Sequence, residues 1–299
     1  MELYLNEEGL IDEERWISLV SGLQESVGEE LEKEEAKRLI KKELISAVRK
    51  RIKGKFGILF SGGVDSSVIA LVCRDLKADF TCYAVGFKTS GMDMPPDIEY
   101  AQKVAESLGV ALKTKVYDLE ETEEIIKETV NILPKPLKID IDYMVKVGVA
   151  GVVVAAQKLS DEKLFFSGLG SEEIFAGYER HSKVDDVNSE CWSGLKKMWQ
   201  RDLIRDFTVA QKLGVDIATP FLDEYLIKTA MSIPSSRKLS GEERKIILRK
   251  VAEEMGLEKE YAWRKKMGAQ YGSRINKVMD KLAHKKGFKL KRDYLKSLF

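Results

Sequence analysis

Two serine-glycine runs carry the side chains of this sequence best suited to chemistry. The first, Ser61-Gly62-Gly63-Val64-Asp65-Ser66-Ser67, ends the apolar run that starts at Phe56 and closes at Phe60. An apolar helical pattern (Val68, Ile69, Leu71, Val72, Leu76) begins at once. A strand, a tight loop and a helix N-terminus in that order form an anion site. The helix end offers unpaired N–H groups and the positive end of its dipole. Gly62 and Gly63 lack a Cβ, so the backbone can approach a phosphate closely. Ser61, Ser66 and Ser67 can donate to phosphate oxygens. Asp65 cannot sit beside bare phosphate without a cation, which points to Mg2+. The second run, Ser167-Gly168-Leu169-Gly170-Ser171-Glu172-Glu173, repeats the design after Phe165-Phe166. Two such loops on one rim can grip both ends of a magnesium triphosphate, with Glu172 sharing the metal with Asp65. Alone, Glu172 and Glu173 read as first-turn helix acids that complement the dipole. Beside Asp65, Glu172 reads as a metal ligand.

The surrounding elements must bring these loops together. Residues 1–11 suggest a short strand or hairpin. Helices are expected over 13–26 and 30–53, the second stopped by Gly54. An alternating pattern follows: strand 56–60, helix 65–76, strand 80–87, helix 96–108, strand 110–117, helix 119–132, buried helix 142–158 and strand 163–167. Alternation of this kind predicts an α/β fold with a doubly wound parallel sheet and right-handed crossovers. Ligands bind at the carboxyl ends of strands in such sheets, which puts Ser61 and Ser167 on one rim. After Arg180 the strand signal fades. Helices are expected over 190–213, 224–232, 242–255 and 272–286, as a layer packed on the sheet.

The first loop is not a Walker A sequence, since it has no Gly-Lys pair, and it lacks the third glycine of the dinucleotide fingerprint. It resembles the PP-loop of the ATP pyrophosphatases, which cleave ATP between the α- and β-phosphates. Ser61-Gly62-Gly63-x-Asp65-Ser66-Ser67, taken with Ser167-Gly168-x-Gly170-Ser171-x-Glu173-x-Phe175-x-Gly177-Tyr178, is similar to the synthetase domain of the asparagine synthetases. Thr219-Pro220-Phe221-Leu222-Asp223, Lys245-Ile246-Ile247-Leu248-Arg249 and Trp263-Arg264-Lys265-Lys266 through Gly272 resemble further motifs of that family, in consistent order. Arg180-His181 and the stretch from Ala269 to Ile275 look closest to the asparagine-synthetase-domain-containing proteins. The resemblance covers roughly residues 34–285. It implies an N-terminal extension over 1–33, a Rossmann-like domain of the adenine nucleotide alpha hydrolase type and a basic tail over 286–299. Within that domain the sheet core falls at about 54–180 and the helical part at about 190–285.

The resemblance also implies a reaction. A carboxylate oxygen attacks the α-phosphate of ATP, pyrophosphate leaves, and ammonia or an amine displaces AMP. Mg2+ on Asp65 and Glu172, with Ser61, Gly62, Gly63, Ser66 and Ser67, would hold the departing pyrophosphate. Lys245 matches the family lysine that stabilises the developing charge. From its neighbours alone (Glu242, Glu243, Arg244) it reads as a solvated lysine on a charged helix. Phe60, Val85, Ser167 and Gly168 match positions that line the adenosine site. Three departures stand out. Position 2 is Glu2 where these synthetases expose a nucleophilic cysteine, and no glutaminase domain is expected before residue 34. The nitrogen then comes from free ammonia, an amine or a separate glutaminase subunit. Leu169 replaces an acid that the family places beside the reacting centre. Glu172 replaces the family's metal-binding aspartate and is one methylene longer. Two alternatives stay open: adenylation of a carboxylate other than aspartate, as in another amidoligase or a cyclase, and a nucleotide-binding scaffold or regulator with little turnover.

Composition removes other classes. Fifty basic and forty-nine acidic residues leave a net charge of +1 and no footprint for nucleic acid. The acidic N-terminus is neither a signal nor a transit peptide. The apolar stretch from Val147 to Ala156 is too short to span a bilayer, so no membrane role is expected. Cys73, Cys82 and Cys191 form no Cys-x-x-Cys, which suits a cytoplasmic protein and removes a paired-cysteine thiolase reading. Cys73 and Cys82 read as core residues, His181 as a partly exposed structural histidine and His284 as solvated. Of Arg264, Lys265 and Lys266, one or more is expected to face phosphates or an anionic substrate.

Overall fold

The computed structural model describes residues 2–265 and 267–299. Five parallel strands form its centre: β1 (Phe56–Leu59), β2 (Phe80–Phe87), β3 (Leu112–Tyr117), β4 (Leu164–Phe166) and β5 (Asp216–Ala218). Their spatial order is β3-β2-β1-β4-β5, with Gly57 opposite Thr81 on one side and Phe165 on the other. The chain winds outward from β1 in one direction and then returns to lay β4 on its other side. The carboxyl ends of β1 and β4 therefore meet at the topological switch point, where open α/β sheets bind ligands.

Strand alternation sorts the side chains onto two faces. Phe56, Ile58 and Phe60 point into one core with Cys82 and Ala84. That core is completed by helices α1 (Glu13–Glu25), α2 (Lys33–Arg49), α3 (Val64–Asp75) and α4 (Pro96–Leu108). Leu59, Tyr83, Val85 and Phe165 point the other way, against α5 (Leu119–Ile132) and α6 (Ile141–Gln157). The doubly wound α/β layering expected from the alternating pattern is present, with helices on both faces.

The second half departs from expectation in three places. A strand follows Arg180 after all: β5 is three residues long, too short for a periodic signal, and is ordered by pairing with β4 through Phe165 and Ile217. The helix expected over 190–213 is instead α8 (Val187–Met198) and α9 (Ile204–Leu213), joined by a π turn at Trp199–Leu203. The helix expected from 242 starts late. Leu239–Ser240 and Glu243–Arg244 form a hairpin whose turn carries Gly241 at φ 56°, and Lys245 follows before the helix α10 (Ile246–Glu254).

The N-terminal residues are tied into the sheet. A hairpin pairs Leu5–Asn6 with Gly9–Leu10. The Glu2 carboxylate accepts from Arg51 at 2.7 and 3.0 Å and from the Thr219 hydroxyl at 2.8 Å. Tyr4 donates its hydroxyl to the Ile217 carbonyl of edge strand β5 at 3.3 Å. Trp16 and Val20 are fully buried, and the Trp16 indole donates to the Leu195 carbonyl at 2.9 Å. Among the described residues, no helix is long and apolar enough to cross a membrane.

Candidate active site

The first loop leaves β1 and feeds α3. Its own side chains knit it: Ser61 N–H donates to Ser66 Oγ at 3.3 Å, Gly63 N–H to Ser61 Oγ at 3.3 Å, and Ser66 Oγ to the Gly63 carbonyl at 3.2 Å. Gly62 has φ 68°, and a Cβ there would lie 2.7 Å from the Tyr100 carbonyl carbon. Only glycine lets the loop lie this close to the backbone of α4. The second loop leaves β4 and enters the short helix α7 (Ser171–Ile174). It touches the first at Gly168, where a Cβ would lie 2.9 Å from the Asp65 Cβ.

Lys245 joins the two loops. Its ammonium donates to Asp65 Oδ1 and Oδ2 at 2.8 and 2.7 Å, to Ser171 Oγ at 2.9 Å and to Glu172 Oε1 at 2.5 Å. The residue is 1% exposed, so it is not the solvated lysine its neighbours suggested. Burial works against its charge, but Asp65 and Glu172 outweigh that cost and its pKa is raised. Its backbone is left-handed, at φ 57°, which is uncommon for a residue with a side chain. The turn between hairpin and α10 thereby aims the side chain inward. Gly177 makes the room: a Cβ there would lie 1.8 Å from Glu172 Oε2 and 2.3 Å from Lys245 Cε.

Two arginines support this centre. Arg264 donates to the Ser61 carbonyl at 2.5 Å and to Asp97 at 2.7 Å, and stacks 4.0 Å from the centre of the Tyr100 ring. Burial pushes the Asp97 carboxyl up to about 6, against the pull of Arg264. Arg249 donates to the carbonyls of Arg244, Ala262 and Arg264 at 2.7, 2.5 and 3.1 Å. Arg264 therefore clamps the first loop to α4. Lys265 lines the cavity mouth, and Lys266 lies outside the described residues.

A cavity of about 270 Å³ opens beside the two loops, on the α6 face of the sheet. It brings together Phe60, Ser61, Gly63, Asp65, Ser66, Val85, Ser167, Gly168, Glu172 and Lys245 of the expected residues. Gly62 and Ser67 are not on its wall, and Ser67 is fully buried. Phe60 is only 2% exposed and packs into the opposite core. Leu59, one residue earlier, faces the cavity with Tyr83, and period-two alternation along β1 would have found it. Arg205 and Asp206 of α9 and Ile217 of β5 complete the far end. No sequence pattern marked them, because β5 itself was not visible. His181 is fully buried, not partly exposed: its Nδ1 accepts from Tyr178 N–H at 3.1 Å, and burial lowers its pKa to about 4. Cys73, Cys82 and Cys191 are buried free thiols.

The sequence model of the asparagine synthase family matches residues 39–185 and 179–291. The chain belongs to that family. It is 32% identical over 302 residues to a Methanocaldococcus jannaschii protein described as "Putative asparagine synthetase (glutamine-hydrolyzing) 1", covering 87% of this chain and 53% of that one. It is 28% identical over 230 residues to the glutamine-hydrolyzing asparagine synthetase of Gallus gallus, covering 74% of this chain and 40% of the other. The chain thus spans about half the length of the curated relatives it matches. Among solved structures, a U34-tRNA thiolase of Methanococcus maripaludis aligns over 86% of this chain and 77% of its own. Its TM-score is 0.37 and its identity 15%. The apolar Leu169 stands on the cavity wall with Gly168 and Glu172.

Proposed function

We propose that the chain activates a carboxylic acid with ATP and passes the acyl group to a nitrogen nucleophile. The observation that carries this reading is the convergence of Asp65 and Glu172, from two phosphate-type loops, on the buried ammonium of Lys245. A carboxylate oxygen attacks the α-phosphorus. The bond from that phosphorus to the bridging oxygen breaks, and pyrophosphate leaves with the electron pair. The acyl-adenylate then yields an amide and AMP to ammonia or an amine.

Each group has a part suited to it. The first loop and the N-terminus of α3 hold the pyrophosphate oxygens. Val85, Ser167, Gly168 and the backbone of Phe60 border the adenosine. Lys245, itself 1% exposed, neutralises charge that grows on the phosphoryl oxygens. Among the described residues, no group of three or more His, Cys, Asp or Glu side chains forms a metal cage. Asp65 and Glu172 nevertheless fit Mg2+, which takes one or two carboxylates together with substrate phosphates. Bound there, Mg2+ would supply charge neutralisation for the pyrophosphate. The nitrogen source is an amine or ammonia, free or released by a glutaminase. A reducing, cytoplasmic setting agrees with three buried free thiols.

ATP–pyrophosphate exchange over a broad panel of acids tests the reading. Exchange with at least one acid is expected, and Asp65→Ala should abolish both exchange and Mg2+-dependent ATP binding. Leu169 favours a second reading, a nucleotide-binding regulator, because an apolar side chain there can neither move a proton nor attract an amine. Tight Mg-ATP binding with no exchange for any acid would select it.

A further inference from the structure

The cavity is longer than a nucleotide base requires, and its far end has a chemistry of its own. It runs across four adjacent strands, from Val85 on β2 past Leu59 and Ser167 to Ile217 on β5. Three strand spacings separate β2 from β5, about 14 Å. With adenosine at Val85 and the phosphates over the β1–β4 crevice, the β5 end is left for the second substrate. Leu169, Val149, Val152, Val153 and Ile217 line the same cavity. The two arginines nearest this end are already paired with carboxylates. Arg205 is 5% exposed and spends its guanidinium on Asp202 at 3.1 Å and Asp206 at 2.6 Å. Behind it, Arg201 holds Asp202 at 2.6 Å and also Glu173. Three carboxylates thus face two guanidiniums. Of the other cations on the cavity wall, Lys245, Arg249 and Arg264 are engaged by the two loops, by backbone carbonyls and by Asp97, and Lys265 stands at the mouth.

A second carboxylate placed there would be buried without a partner, its desolvation unopposed. An apolar group would instead gain by leaving water. Resting on the adenylation reading above, we infer that the activated acid is a monocarboxylic acid with an apolar body, and not a dicarboxylic acid such as aspartate. Its carboxylate reaches the α-phosphate at the crevice, and its body lies against α6, Leu169 and β5. Leu169 and Val153 are then specificity residues that touch the substrate.

ATP–pyrophosphate exchange by the full chain, with propionate, isovalerate, phenylacetate, aspartate and glutamate as probes, tests this. Isovalerate or phenylacetate should support exchange at least tenfold faster than aspartate. Val153→Phe should cut exchange with those bulky acids at least tenfold and that with propionate no more than twofold. Leu169→Asp, with its melting temperature checked, should lower exchange with isovalerate at least tenfold and guards against misfolding of the first variant. Aspartate as the best acid, or a Val153→Phe enzyme with unchanged preference, would overturn the inference and leave the adenylation reading standing. Calorimetric Mg-ATP binding without exchange for any acid would overturn both.

Discussion

Lys245 is the residue on which the site turns. A buried ammonium between two carboxylates is stable only as a set, because removing one partner strands the others. Lys245→Met keeps the bulk and removes the charge, so Asp65 and Glu172 are left facing each other. The variant should lose about 3–5 kcal/mol of stability in metal-free buffer. Millimolar Mg2+ without nucleotide should restore part of that loss, whereas the parent's melting temperature should barely respond. Melting curves with and without Mg2+ decide it; equal responses would count against the two-carboxylate cation site. Gly177→Ala asks the same question from the opposite wall. The new methyl would occupy the position 1.8 Å from Glu172 Oε2, and the carboxylate must move away. Exchange should fall at least a hundredfold, about 3 kcal/mol in the barrier. Activity within tenfold of the parent would show that Glu172 is not held where it is needed.

The short turn after the second loop adds an element-scale dependence on pH. His181 sits in the turn Glu179–Lys183, fully buried, with Nδ1 accepting a backbone hydrogen bond. Burial, with Arg180 next, lowers its pKa from 6.5 to about 4. The unfolded chain therefore binds this proton more readily than the folded one. The neutral ring's contribution is complete above pH 6.5 and is lost as pH falls toward 4, up to about 3 kcal/mol. His181→Asn should lack that segment of the stability curve, as denaturant titrations at pH 7, 5.5 and 4.5 would reveal. Elements also explain what could be read in advance. Both phosphate-type loops were legible because glycine, serine and acid spacing is local information, and the first four strands were legible because each is long or apolar enough to stand out. The short edge strand β5 and the left-handed turn at Lys245 were not. Their conformations are imposed by β4 and by the two loops, and nothing in their own residues announces them. With β5 hidden, Arg205 and Asp206 had no place in the site.

At the scale of the whole molecule, the sheet has two edges, and they are treated differently. The β3 edge belongs to a six-residue strand, whereas β5 is short and lies under the N-terminal segment. Glu2, Tyr4 and Trp16 fix that segment to Arg51, β5 and Leu195, and Val20 is buried in the core. Family similarity alone would place a cut near residue 34 and treat the earlier residues as dispensable. A chain lacking residues 2–31 should show a melting temperature lower by at least 10 °C and should begin to scatter light at a lower protein concentration than the parent. An unchanged melting temperature would mean that the segment only decorates the surface. The hydroxyl of Tyr4 on the Ile217 carbonyl thereby acquires a colloidal meaning. It occupies a hydrogen-bonding site that a neighbouring molecule's strand would otherwise find, so the length of chain retained at the front sets how crowded a solution this protein can tolerate.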